Sequence, residues 1–417
     1  MPWFLSERQK ATLERFEYQM LCGHKSLQCR MSHQAPLSIH WQENGQDHQA
    51  RWISEAGLPP PDPVVLADDT LSADTAFKLI QSGTALLWRG DYPNVRHLLQ
   101  ALVRRVDRPP RNAPPPAKTA LEAFERHRAA QGRRASLLGS LLVPLTADYR
   151  LPLRRGQDVQ EACIAGLGPI DHSAGDAVIS LRGLLALVSA WEWRKKGAFV
   201  PPLNATIHPH FGVFSPVRGE YVDLVAKAPL PQPCDTAFEI GVGSGVLSAV
   251  LAKRGIAHII ATDLDPRALA CAEDNLTRLG YARQVHLCRS DLFPVGPDTP
   301  AQADLILCNP PWLPALPTSP VEAAVYDPDS QMLRRFLAGA ADRLTANGEV
   351  WLILSDIAEH LALRSRDELL SWIQAGGLAV AGRLDTRPHH PKTRNQTDAL
   401  HKARSQEITS LWRLKKA

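Results

Sequence analysis

The sequence predicts an α/β protein whose second half is a mostly parallel sheet with helices on both faces, preceded by a mainly helical N-terminal region. Three observations carry this prediction. From about Pro201 onward, short apolar runs alternate with segments of helical period. A glycine-rich turn directly follows the first of those runs. An acidic residue closes the next one.

The elements follow in chain order. Residues 1–56 are mixed, with no clear period. Two proline clusters, Gly57-Leu-Pro-Pro-Pro-Asp-Pro63 and Arg108-Pro-Pro-Arg-Asn-Ala-Pro-Pro-Pro116, read as stiff linkers, because proline removes a backbone donor and favours extended chain. Between them, Ser72 is a candidate N-cap before a helix carrying Ala76, Leu79 and Ile80. Gly90-Asp-Tyr-Pro93 punctuates, and Val95, Leu98, Leu99, Leu102 and Val106 then recur at helical spacing. Further helices are expected over about 118–142, rich in arginine, and about 177–196. Strands are then expected at 237–240, 258–262, 285–288, 304–308, 349–354 and 408–414, with helices at 246–254, 266–279 and 330–344 between them. The expected organisation is a substrate-recognition region over 1–110, a basic helical region over 111–204 and a catalytic domain over 205–417.

Composition narrows the class. Hydrophobic residues make up 44% and charged residues 22% of the 417, values of a folded soluble protein. Net charge is only +4, so any surface for a polyanion must be local. The seven cysteines are odd in number and irregular in spacing, which argues against a disulfide framework and for a reducing, cytoplasmic setting. The charged N-terminus lacks an apolar signal core, and no run of about 18 apolar residues suggests a membrane span.

The densest motif is Phe238-Glu-Ile-Gly-Val-Gly-Ser-Gly245, set between a strand and a helix. Glycines there let the chain turn sharply and let a ligand approach the backbone. Asp263 ends the next strand, 24 residues after Glu239, where a carboxylate suits ribose hydroxyls. The third strand is followed by Ser290-Asp-Leu-Phe293, in which Asp291 suits an adenine amino group. Either a dinucleotide or S-adenosylmethionine satisfies this much.

Asn309-Pro-Pro-Trp312, after the fourth strand, chooses between them. An amide or ring NH2 is a poor nucleophile because its lone pair is delocalised, so positioning matters more than a strong base. The Asn309 side-chain oxygen and the Pro310 carbonyl can each accept one N–H, and the accepted bonds favour positive charge growing on the nitrogen. Pro310 and Pro311 fix the turn, and Trp312 offers a flat face to an amide or base.

These residues resemble the class I S-adenosylmethionine-dependent methyltransferases. Within that class they are similar to the amino-methyltransferases that act on protein glutamine N5, rRNA guanine N2 or adenine N6. The resemblance covers about residues 205–415. It implies a Rossmann-like class I methyltransferase sheet, S-adenosylmethionine as cofactor, and a cofactor site of Glu239, Gly241, Gly243, Ser244, Gly245, Asp263, Asp291, Leu292 and Asn309. It implies that Asn309, Pro310, Pro311 and Trp312 hold the acceptor nitrogen. Gly212-Val-Phe-Ser-Pro-Val-Arg-Gly-Glu-Tyr221 resembles the segment that covers the cofactor in this group. Trp312 departs from the tyrosine usual in the glutamine enzymes.

Two further features are candidates for substrate contact. Arg126, Arg128, Arg133, Arg134, Arg154 and Arg155 form a basic stretch suited to phosphates or to a solvated helix face. Residues 383–417 carry nine Lys and Arg against three acids, and His389, His390, Lys392, Arg394 and Asn395 fall between the last two strands. Cys22, His24, Cys29 and His33 match no standard zinc spacing, so no metal is expected. Trp88, Trp191 and Trp193 read as core or interface residues. The expected function is N-methylation of a macromolecule, a base of RNA or DNA ahead of a glutamine of a translation protein. A small-molecule methyltransferase and a non-catalytic cofactor-binding module are the alternatives. No membrane partner is expected, and the oligomeric state is not legible.

Overall fold

Strands that are apolar at nearly every position need cover on both faces, and this chain builds two sheets around such strands at their centres. The computed structural model describes residues 37–109, 115–216, 219–297, 299–317, 321–388 and 398–417. The Cys22, His24, Cys29 and His33 cluster and the His389–Asn395 loop lie outside the described residues.

The first lobe runs β1 (Ser38–Glu43), β2 (Gln46–Ile53), β3 (Val64–Ala67), α1 (Ala73–Gln81), β4 (Ala85–Trp88), α2 (Tyr92–Val106), α3 (Ala120–Gly139), β5 (Leu141–Leu145), α4 (Gln160–Leu167), β6 (Ala177–Ser180) and α5 (Leu181–Lys196). Its six strands form one mixed sheet in the order β1-β2-β6-β5-β4-β3. The two edge strands, β1 and β3, come into contact, so the sheet is strongly curled. Leu86, Leu141, Val143 and Ile179 face the helices, while Leu87, Leu142 and Val178 fill the opposite face with Ile39 and Ala85.

Helical residues outnumber strand residues in this region, but the sheet organises it, and the sequence did not indicate one. The expected boundary at 110/111 cuts through it. β5 and β6, after that point, pair with β4 and β2, before it. The expected helix over 177–196 is a strand running directly into a helix, with Ser180 as the N-cap whose hydroxyl accepts from Gly183 N.

The second lobe adds the hairpin β7 (Ala198–Val200) and β8 (Ala205–Ile207). It continues with α6 (Glu220–Lys227), β9 (Thr236–Ile240), α7 (Val246–Lys253), β10 (His258–Asp263), α8 (Pro266–Leu279), β11 (Val285–Arg289) and β12 (Ala303–Cys308). It ends with α9 (Gln331–Ala340), β13 (Leu344–Ser355), α10 (Ile357–His360), α11 (Arg366–Ala375), β14 (Leu378–Thr386), α12 (His401–Gln406) and β15 (Thr409–Lys416). The seven strands order as β11-β10-β9-β12-β13-β15-β14. The first five are parallel, and β15 is antiparallel to both its neighbours. This is the Rossmann-like sheet expected from residues 237 onward.

One face packs on α6, α7, α8 and the hairpin, the other on α9 and α11. Val200 and Leu203 already belong to this second core, so it begins a few residues before the expected boundary at 204/205. Chain order reverses between β9 and β12, and a crevice opens there at the carboxyl ends of the strands, where open α/β sheets bind ligands. No described helix is long and apolar enough to cross a membrane.

Candidate active site

The crevice is a cavity of about 660 Å³ between the β9–α7 turn, the cover segment and the loop after β12. That volume lies in the range of small-molecule and cofactor sites. The turn is built on positive φ at Gly241, Gly243 and Gly245, a region that suits glycine. The Gly241 and Val242 amides donate to the Thr262 carbonyl at 2.9 and 2.8 Å, tying the turn to β10. A Cβ on Gly245 would lie 3.1 Å from Ala272 Cα, so this glycine lets α7 approach α8. Nothing lies within 4 Å of a Cβ built on Gly241 or Gly243, so this part of the turn is open. Ser244 is buried, and its carbonyl accepts from Asn275 Nδ2 at 3.1 Å.

The predicted acids take different positions. Glu239 is 2% exposed and accepts a short hydrogen bond from Ser248 of α7. Burial pushes its carboxyl up to about 8. Asp263 accepts from Gly243 N at 3.1 Å and Asp265 N at 3.0 Å, and burial raises its pKa as well. It therefore braces the glycine turn while lining the cavity. Asp291 stands at the rim, half-exposed, in an ion pair with Arg335 at 2.7 Å. Leu292 follows with φ +74, and its carbonyl accepts from Thr262 Oγ1 at 2.5 Å.

Asn309 leaves β12 just after the buried Cys308, whose thiol burial pushes far up. Trp312 Nε1 donates to Asn309 Oδ1 at 3.0 Å, which fixes the amide with its oxygen toward the indole. Asn309, Pro310, Pro311 and Trp312 all line the cavity together with the glycine turn, Asp263, Asp291 and Leu292. Every predicted site residue except the sterically confined Gly245 is thus on its wall. Arg404 and Glu407, from α12 and the turn after it, line it as well.

Sequence reasoning missed two supports of this site. The first is Asn275 of α8, fully buried, which donates to the carbonyls of Ser244 and Cys271 and accepts from His208 N at 2.8 Å. It joins the glycine turn to the chain just before the cover segment. The second is Arg128 of α3. It pairs with Glu322 at 3.1 Å, donates to the Leu316 carbonyl at 2.7 Å, and lies 4.1 Å from the Tyr326 ring centre. All three partners are in the loop after Trp312. No local signal marks Arg128, because its partners lie almost two hundred residues away.

The arginines read as a phosphate surface are largely paired with the protein's own carboxylates, although Arg154 and Arg155 stay mostly exposed. Arg126 pairs with Glu122, Arg134 with Asp107, and Arg154 and Arg155 with the buried Asp91. In the C-terminal stretch Arg383 pairs with Asp385, Arg404 with Asp398 and Arg413 with the buried Glu349. Trp88 is core, as read, and Trp191 is half-buried. Trp193 departs from that reading, being 47% exposed.

Part of the chain is similar to known proteins. The methyltransferase small domain family matches residues 204–362. A release factor glutamine methyltransferase of Cereibacter sphaeroides is 43% identical over 90 residues, 21% of this chain and 31% of the relative. A tRNA1(Val) (adenine(37)-N6)-methyltransferase of Shewanella loihica is 34% identical over 145 residues, 33% of this chain and 59% of the relative. A release factor glutamine methyltransferase of Moorella thermoacetica is 34% identical over 141 residues, 30% of this chain and 49% of the relative. The chain thus spans about a third to three fifths of the length of these curated relatives. Residues 204–362, which hold the glycine turn and Asn309-Pro-Pro-Trp312, match the methyltransferase small domain family, and the named relatives fit a class I amino-methyltransferase group.

Proposed function

We propose that this chain is an S-adenosylmethionine-dependent methyltransferase that places a methyl group on a planar NH2 nitrogen of a macromolecule. The observation that carries the reading is the single cavity walled at once by the glycine turn and by Asn309-Pro-Pro-Trp312. The residues present fit the cofactor. The open backbone at Gly241 and Gly243 accommodates a ligand, and Asp263 and Asp291 offer carboxylates for its hydroxyl and amino groups. S-adenosylmethionine supplies an electrophilic methyl on a cationic sulfur.

The chain's own part is positioning. The Asn309 carbonyl oxygen has two lone pairs. Trp312 Nε1–H occupies one, which leaves the other for an N–H of the substrate. The Pro310 carbonyl takes the second N–H. Both bonds strengthen as the nitrogen becomes positive, and both acceptors sit in a turn stiffened by two prolines. The Trp312 ring stacks on the flat amide or base.

The substrate favoured here is a base of RNA or DNA, supported by the flat indole face and by the relative named for tRNA adenine. A protein glutamine is the second reading, favoured by the relatives named for release factors. The proposed setting is the cytoplasm, since every described cysteine is a free thiol.

Asn309→Ala tests the assignment. Cofactor affinity by calorimetry should stay near wild type, while methyl transfer falls about a hundredfold, the scale of losing one preorganised polar contact to the reacting group. Transfer at the wild-type rate would remove Asn309 from the chemistry. Tritium transfer into an extract lacking the protein, followed by separate RNase, DNase and protease digestion, identifies the substrate class.

A further inference from the structure

α5 ends in Trp191-Glu-Trp-Arg-Lys-Lys196, and Gly197, at φ +70, turns the chain tightly into the β7–β8 hairpin. A Cβ on Gly197 would lie 2.2 Å from Thr206 Cγ2, so the turn admits no side chain. Trp193 and the 61% exposed Phe199 result on either side of it. They line a groove of about 440 Å³ with Lys196, Pro201, Pro216 and Gly219.

Two large aromatic side chains at one surface groove are unusual for an isolated soluble face. Lys196 Nζ lies 5.6 Å from the Trp193 ring centre, and Lys196 is the only charged residue among the described residues lining the groove. Lys195 and Arg194 lie 5.7 and 5.8 Å from the adjacent Trp191 ring. Arg194 is held by Asp274, and Lys195 pairs with Glu192 while staying half-exposed.

The groove also adjoins the catalytic cavity. Pro216 and Gly219 belong to the cover segment, and Phe214 and Tyr221 of that same segment line the cavity. One short stretch of chain is therefore a wall of both. We propose that this groove binds single-stranded nucleic acid next to the base that is methylated, with bases stacked on Trp193 and Phe199 and a phosphate held by Lys196. Exposed aromatic faces interleaved with cations are the chemistry of strand binding, since every base has a π-face and every linkage a negative charge. The proposal rests on the methyltransferase reading and names its substrate class. It replaces the engaged arginines of α3 as the contact surface.

The test uses the full chain and labelled mixed-sequence single-stranded RNA, single-stranded DNA, the RNA duplex and an acidic peptide as probes. Wild type should bind a single strand more tightly than the duplex or the peptide, and the RNA and DNA arms show which strand it prefers. Trp193→Ala and Phe199→Ala should each weaken single-strand binding about tenfold, while Trp193→Phe restores most of it. Lys196→Ala should lower the slope of log affinity against log salt by about 0.7, the value for one phosphate on a single strand. Cofactor affinity should not move in any of them.

Asn309→Ala should keep strand binding while losing methyl transfer, which separates the groove from the catalytic assignment. Unchanged strand binding in the Trp193→Ala, Phe199→Ala double variant would overturn the groove and leave the methyltransferase reading standing. Preference for the acidic peptide, lost in the same variants, would overturn it in favour of a protein partner.

Discussion

Replacing Trp312 with phenylalanine removes one hydrogen bond and little else. The ring packs against both cores of the catalytic lobe, and phenylalanine keeps an aromatic face in that place. What is lost is the indole N–H that donates to Asn309 Oδ1 at 3.0 Å. That bond decides which end of the Asn309 amide faces the cavity. Without it the amide can rotate and present its NH2, a donor, where the substrate needs an acceptor. A net hydrogen bond in a folded protein contributes about 1 kcal/mol. Applied to the reacting arrangement alone, that is about fivefold in kcat, at 1.36 kcal/mol per tenfold. Cofactor affinity should be unchanged, because the glycine turn is held by Thr262 and Asp263 and not by Trp312. The assay is tritium transfer with kcat and KM measured separately for cofactor and substrate, alongside thermal unfolding. A kcat equal to wild type, or a loss confined to the cofactor KM, would refute the orienting role.

Two other perturbations probe the surroundings. Arg128→Ala removes the pairing to Glu322, the bond to the Leu316 carbonyl and the stacking on Tyr326, so substrate KM should rise about tenfold while cofactor affinity holds, as read by steady-state kinetics and calorimetry. Glu239→Gln should flatten the pH dependence of stability: with a folded pKa near 8 against an ordinary value of 4.5, the wild-type carboxyl stays protonated longer in the folded state. Its contribution is full below about 4.5 and is lost as pH rises toward 8, so the wild-type melting temperature should fall across that window more than the variant's.

The catalytic sheet was legible because its central strands are buried on both faces and appear as continuous apolar runs. Leu305-Ile-Leu-Cys308 is such a run, Ala237-Phe-Glu-Ile240 is one interrupted only by the buried Glu239, and each leads into a turn with its own signature. β14 was not legible. It is an edge strand whose residues are mostly exposed, and its short run Leu378-Ala-Val-Ala381 is broken by Gly382 and followed by charged residues. The first sheet was hidden for another reason. Its strands β4, β5 and β6 are four or five residues long, and two of them abut helices: only Ser140 separates α3 from Leu141–Leu145, and β6 continues into α5 with no break. Strand and helix then share one apolar stretch, which length and period alone assign to a helix. The cofactor turn was local and readable. The ion pair between Asp291 and Arg335, 44 residues apart, was not.

The first lobe is tied to both sides of the catalytic cavity, and this bears on why it precedes the sheet at all. On one side, Arg128 and Phe124 of α3 reach the loop after Trp312 and the helices α10 and α12. On the other, Arg194 of α5 pairs with Asp274 of α8, and that same carboxylate meets His210, just before the cover segment, at 3.0 Å. The Arg194 carbonyl is also bonded to His208 Nδ1 at 2.6 Å. One anchorage would permit the lobe to swing about it. Two anchorages, one at the loop after Trp312 and one at α8, restrain the lobe relative to both the cofactor turn and Asn309. A substrate held at the end of α5 is then registered against the reacting atoms, and positioning of that kind is what a weakly nucleophilic NH2 requires.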